Sequence, residues 1–277
     1  MKRSSFARAV LAIVALVLLT GAPTAAQQLA MEPLKDSGSN IYPAFEGWYK
    51  NDDGTFTLLI GYYNRNKKEV IDIPIGPDNK IEPGGPDQGQ PTHFEVGRQW
   101  AVFGVKVPKD FGNKSITWTI IANGEKQTIP FTLNKGYNIS PLKDLGMGNT
   151  PPSVSFSQGG AKFQGPPAGT AATLTAKAGQ PVAVNVWAED AKETSGGSRQ
   201  STQVAALGLH KFRGPGRVTF DKPRISVPKQ GDMVTFNATF SEPGEYVLRV
   251  QANDESGEGG GGFQCCWTNA YVKVTVQ

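Results

Sequence analysis

Val234-Thr235-Phe236-Asn237-Ala238-Thr239-Phe240-Ser241-Glu242-Pro243-Gly244-Glu245-Tyr246-Val247-Leu248-Arg249-Val250 reads as two strands with a turn between them. Val234, Phe236, Ala238 and Phe240 share one face by period two, and Tyr246, Leu248 and Val250 repeat the pattern after Pro243-Gly244. Upstream, Val182, Val184 and Val186 alternate with Ala183, Asn185 and Trp187, and Val272, Val274 and Val276 close the chain. Short alternating strands at regular spacing, with turn residues between them, predict a β-sandwich.

The N-terminal half carries the same signals. Phe56, Leu58, Ile60 and Tyr62 share a face after the turn Asn51-Asp52-Asp53-Gly54, and Ile71, Ile73 and Ile75 share another. Trp100–Val107 is a further strand after a Gly/Pro-rich loop over 76–91. Ser115–Ala122 and Lys126–Leu133 flank Asn123-Gly124, a hairpin signal because both residues tolerate positive φ. No window in this half has helical periodicity, and the 33 Gly and 20 Pro read as turns. The expected fold class is therefore all-β, with two tandem immunoglobulin-like sandwiches. The expected boundaries are an extension over 27–43, a first sandwich over 44–133, a linker over 134–169 and a second sandwich over 170–277.

Residues 1–26 read as a cleaved signal peptide. Lys2, Arg3 and Arg8 form its positive end, Ala9–Leu19 its apolar run, and Thr24 and Ala26 the small residues before the cut. The apolar run is shorter than the roughly 20 residues a membrane span needs, and no later stretch is apolar enough to replace it. The chain has 28 Lys+Arg against 24 Asp+Glu; removing the three basic residues of the signal leaves 25 against 24. No electrostatic footprint for nucleic acid remains. The expected location is periplasmic or extracellular, with no transmembrane segment after signal cleavage, and the oligomeric state stays open.

Arg213-Gly214-Pro215-Gly216-Arg217-Val218-Thr219-Phe220 and then Asn237–Val250 resemble the PKD and REJ-like immunoglobulin-fold domains of exported bacterial proteins. The resemblance covers roughly residues 170–277. That family commonly has a Trp just before the Gly-Pro-Gly turn, where this chain has Leu209-His210-Lys211. The resemblance implies a spacer, or a unit that binds protein or glycan. From the residues themselves, Tyr246 stands after Pro243-Gly244 at a strand start, where its hydroxyl is expected to tie the corner to nearby backbone.

Residue types for catalysis are few. The two histidines, His93 and His210, fall in different expected domains, and no Gly-x-Ser-x-Gly elbow, His-Glu-x-x-His or phosphate loop is present in the needed context. Glu46, beside Trp48 and Tyr49, is the acid to inspect first, and His93 reads as a loop hydrogen-bonder. No cofactor is expected. Calcium is the one ion weighed, at Asp52-Asp53 and Asp254-Glu255, though neither loop is dense in oxygen ligands. Trp48, Tyr49, Tyr62, Tyr63 and Trp100 could form a carbohydrate platform or belong to the core. Trp187 has the opposite parity to its Val neighbours and should face away from the core, toward a partner or another domain.

Cys265 and Cys266 are the only cysteines, adjacent and followed by Trp267. Consecutive Cα atoms lie ~3.8 Å apart, below the usual ~4.4–6.8 Å of a disulfide. Three fates are open: a strained ring between the two, a bond to another molecule, or free thiols. A ring would add little stability and would point to a local role. The best reading is an exported, non-enzymatic binding or structural protein that meets a protein or carbohydrate at the cell exterior, through Phe263, Cys265, Cys266 and Trp267 with Trp187 as a second surface. The alternatives are a secreted hydrolase with a site near Glu46 and His93, and a self-assembling spacer.

Overall fold

The computed structural model describes residues 33–145, 148–191, 204–254 and 266–277. The segment expected to be a signal peptide, Phe263 and Cys265 lie outside them. Leu34–Gln277 forms one compact unit built of two β modules.

The N-terminal module contains β1 (Ile41–Lys50), β2 (Phe56–Asn64), β3 (Ile71–Asp72), β4 (Asn79–Glu82), β5 (His93–Phe94), β6 (Gly97–Val107), β7 (Ile116–Ala122) and β8 (Glu125–Phe131). Sheets β1-β2-β6 and β4-β7-β8 enclose its core, and β3 pairs with β5. As its alternation predicts, Phe56, Leu58, Ile60 and Tyr62 pack on that core. Asn123 and Gly124 both adopt positive φ in the β7–β8 hairpin. The strand expected to carry Ile71, Ile73 and Ile75 is cut to Ile71–Asp72, with Pro74, which has no N–H for a ladder, two residues on. The loop expected over 76–91 contains β4. There the buried Asn79 amide donates to the carbonyls of Ile73 (3.0 Å) and Pro91 (2.8 Å), and its oxygen accepts from Trp118 Nε1 at 3.0 Å.

The C-terminal module contains β9 (Ser153–Ser155), β10 (Phe163–Gln164), β11 (Thr170–Ala176), β12 (Pro181–Glu189), β13 (Ala205–Arg213), β14 (Val218–Phe220), β15 (Arg224–Val227), β16 (Met233–Phe240), β17 (Gly244–Asn253) and β18 (Trp267–Val276). One sheet runs β10-β9-β12-β16-β14, and the other β11-β18-β17-β13-β15, with β11 parallel to β18. The first strand region thus divides between the two sheets, an immunoglobulin-like arrangement. Val184, Val186, Phe236, Ala238, Phe240, Tyr246, Leu248, Val250, Val272 and Val274 fill the space between them. The segment expected as linker over 134–169 is not featureless: it holds a 3-10 turn at Lys135–Tyr137 and the strands β9 and β10.

The expected tyrosine corner forms. Tyr246 OH donates to the Glu242 carbonyl at 2.9 Å and accepts from Gly216 N–H at 3.0 Å. Gly214 has φ +138°, and a Cβ there would be driven into the Tyr246 ring. The Gly-Pro-Gly turn is therefore the surface against which the tyrosine packs.

Candidate functional site at the module junction

Strand alternation in β13, β17 and β18 sends one set of side chains into the sandwich and the other outward. The outward set contains His210 and Phe212 on β13, Val247 and Arg249 on β17, and Trp267, Asn269 and Tyr271 on β18. The N-terminal module covers this face. Phe212, Val247 and Tyr271 join its core, and Phe212 and Tyr271 lie with ring centroids 4.8 Å apart.

A bulge in β6 prepares the other side. Ile60 pairs with Phe103 and Tyr62 with Gln99, so Trp100, Ala101 and Val102 stand opposite Gly61 alone. Ala101 takes φ +48°. The bulge withdraws carbonyls from the ladder, and the other module satisfies them. Asn269 Nδ2 donates to Ala101 O at 3.0 Å, and Tyr271 OH donates to Val102 O. Burial pushes the Tyr271 phenol well up, with Arg249 and Arg213 pulling the other way, so it remains a donor.

Charge at the junction is sorted by module. Asp72, Asp87 and Glu95 come from the N-terminal module; Lys211, Arg213 and Arg249 come from the C-terminal one. Lys211 Nζ, on a side chain only 4% exposed, donates to Asp72 Oδ1 at 3.1 Å, and His93 Nδ1 lies 2.8 Å from the same oxygen. His210 Nδ1 is 2.7 Å from Glu95 Oε2. Arg213 holds both Asp87 oxygens (2.8 and 3.0 Å) and donates Nε to Gln90 O at 2.7 Å. Arg249, 3% exposed, donates to Gln99 Oε1 (2.7 Å) across the junction and to Asn269 Oδ1 (3.0 Å). Burial raises the Asp72 and Glu95 carboxyls, but His93 and Lys211 on the first, and His210 chiefly on the second, outweigh it and hold both below ordinary values. Hydrogen bonds from Arg213 hold Asp87 low against a smaller effect of burial.

Both histidines thus reach the same junction from different modules, and neither sits with Glu46. Glu46 is buried and paired with Arg98 within the N-terminal module, where the guanidinium carbon lies 3.9 Å from the centre of the Trp100 ring. Tyr62 belongs to the core and its hydroxyl accepts from Glu95 N–H, so the five aromatics do not form one open platform. Asp53 is engaged by Thr55 and Lys106, and Asp254 accepts from Asn149 at 2.6 Å; Glu255 lies outside the described residues. Among the described residues no three His, Cys, Asp or Glu side chains gather as a metal site.

The open Cys-Cys-Trp surface expected in the C-terminal module needs correction at two of its residues. Trp267 is 5% exposed and packs with Leu59 and Ala101, while Cys266 is 1% exposed. A face predicted to meet a partner meets the chain's own first module. Cys266 is disulfide-bonded, and its Sγ lies 3.3 Å from Asn149 O; Cys265, the only other cysteine of the sequence, is outside the described residues. Trp187 does leave the core, as its parity predicts: Val184 and Val186 are buried, and Trp187 lies half-buried between Met233 and Ser155 on the neighbouring strands. The junction residues Arg249, Asn269 and Tyr271 were missed. Their signal was an outward face carrying Trp267 and Tyr271 at strand spacing, too aromatic for a face left to water.

No family model and no curated protein matches the chain. Among solved structures, it is similar to domains 4 and 5 of the S-layer protein SbsC, at 12% identity and TM-score 0.24, over 86% of this chain and 98% of that one. It is similar to the D00-D0 domain of intimin at 10% identity and TM-score 0.27, over 86% of this chain and 100% of that one. It is also similar to the Yersinia pseudotuberculosis adhesin InvE at 12% identity and TM-score 0.26, over 86% of this chain and 58% of that one. These scores are low, and the immunoglobulin-like description rests on the strand order of the C-terminal module itself.

Proposed function

We propose that the protein is an exported, non-catalytic binding protein that takes a glycan on the outer face of the sheet β10-β9-β12-β16-β14. The observation that carries this reading is the unequal use of the two C-terminal sheets. One outer face is spent on the junction, while the other leaves Pro181, Ala183 and Asn185 exposed beside half-buried Trp187, with Met233 50% exposed next to it. A tryptophan ring offers an apolar face to the C–H side of a sugar. Asn185, whose oxygen accepts from Thr235 Oγ1 at 2.8 Å, keeps amide donors for sugar hydroxyls. Membership of the C-terminal module in the PKD/REJ-like group and a location at the cell exterior belong to the same proposal, supported by the Gly214-Pro215-Gly216 turn under Tyr246 and by the signal-like sequence of residues 1–26.

The test is binding of the purified chain to a panel of bacterial and host surface glycans, with product analysis for cleavage. Binding without turnover, lost at least tenfold in Trp187→Ala and kept in Lys126→Ala on the exposed side of β8, supports the reading. Glycan cleavage would move the protein to the hydrolases. Absence of glycan binding, with direct binding to a purified surface protein instead, would replace the ligand class.

A further inference from the structure

We propose that the junction is an acid-released latch, at which the two modules part along the β13-β17-β18 face, withdrawing Phe212, Val247 and Tyr271 from the N-terminal core, while the sheets of each module stay formed. Three features carry this. Among the described residues, the junction carboxylates Asp72, Asp87 and Glu95 come from one module and the cations Lys211, Arg213 and Arg249 from the other, so these contacts act between modules, whereas the Asp72–His93 contact lies within the N-terminal module. Two of the cations are deeply placed: the Lys211 side chain is 4% exposed and Arg249 is 3% exposed. The buried carboxylate Glu46 is paired with Arg98 inside the N-terminal module, so its discharge does not act across the junction.

The groups facing each carboxylate are as follows. Asp72 faces His93 of β5 and Lys211 of β13. Asp87 faces Arg213. Glu95 faces His210 of β13, with the charges of Arg249 on β17 and His93 on β5 also acting on it. The remaining buried pair nearby, Glu46 with Arg98, lies wholly within the N-terminal module and does not bridge. Protonating Asp72 or Glu95 leaves a buried cation without its counter-charge, and that cation regains water only if the modules separate.

The sign follows from linkage. The closed form holds Asp72, Asp87 and Glu95 below their ordinary values; opening takes Arg213 from Asp87 and His210 from Glu95 and so takes up protons there, while Asp72 keeps His93 and loses only the smaller effect of Lys211. The latch is fully closed above the ordinary carboxylate range and is released as pH falls below about 4.5. Each proton taken up changes the open-to-closed ratio by up to about tenfold per pH unit, and Asp87 and Glu95 together by at most on the order of a hundredfold.

The experiment is small-angle X-ray scattering of the purified chain from pH 7 to pH 3, with far-UV circular dichroism on the same samples. A radius of gyration that rises below about pH 4.5 with unchanged dichroism is expected. Glu95→Gln should shallow the pH dependence by about one proton, or tenfold per pH unit. Lys211→Met, which removes a buried cation at similar length, should move opening to lower pH. A constant radius down to pH 3 overturns the latch, as does loss of dichroism in step with expansion. Glu46→Gln is the control and should leave the opening curve in place; a shift equal to that of Glu95→Gln would also overturn the assignment.

Discussion

The two sheets of the C-terminal sandwich obey the same alternation and meet opposite fates. In β12 and β16 the residues that leave the core, from Asn185 to Met233, face outward into the open. In β17 and β18 they include Arg249, Trp267, Asn269 and Tyr271, and the N-terminal module buries them. Period two reports which side chains leave a core, not what they meet afterwards. The covered face is also far from apolar. Its aromatic residues sit among a buried arginine and lysine whose partners are supplied from across the junction, the mixture expected where two modules of one chain dock.

Four substitutions test this contrast, from the largest expected effect to the smallest. Gly214→Ala strikes the sandwich itself, since it needs φ +138° and meets the Tyr246 ring; it should cost about 4 kcal/mol in a urea melt. Arg249→Met leaves Gln99 Oε1 and Asn269 Oδ1 unpaired at the covered face and should cost about 3 kcal/mol. Tyr246→Phe loses the two hydrogen bonds of the corner and should cost about 1.5 kcal/mol, read from the thermal midpoint. Trp187→Ala, on the open face, should cost about 1 kcal/mol or less. If Arg249→Met proves as mild as Trp187→Ala, the covered and open faces are energetically alike and the contrast fails.

Much of the fold was legible. β12, β16, β17 and β18 alternate over seven or more residues with Val, Phe and Leu on one face, and Asn123-Gly124 marks its hairpin by backbone preference alone. β4 was not legible, because Asn79-Lys80-Ile81-Glu82 holds a single apolar residue and its identity as a strand depends on pairing with β7. β9 and β10 are too short for a period to show, and each exists because a neighbouring strand offers it a ladder. The alternation of Ile71, Ile73 and Ile75 promised more strand than forms.

At the candidate site, the outward turn of Trp187 could be read from parity with Val184 and Val186. The burial of Trp267 could not, although its parity was equally plain. His93 and His210, 117 positions apart in the sequence, gave no sign of sharing one surface.

By itself, the sequence determined the all-β class, the inward faces of the long strands and the Tyr246 corner, because strand period, turn backbone preference and a tyrosine after Pro-Gly are local properties. Only the tertiary structure decided that Asp72, Asp87 and Glu95 meet Lys211, Arg213 and Arg249, and that Trp267 is interior. Electrostatic pairing and desolvation depend on distance in space, and alternation along a strand carries no record of which module will cover its outer face.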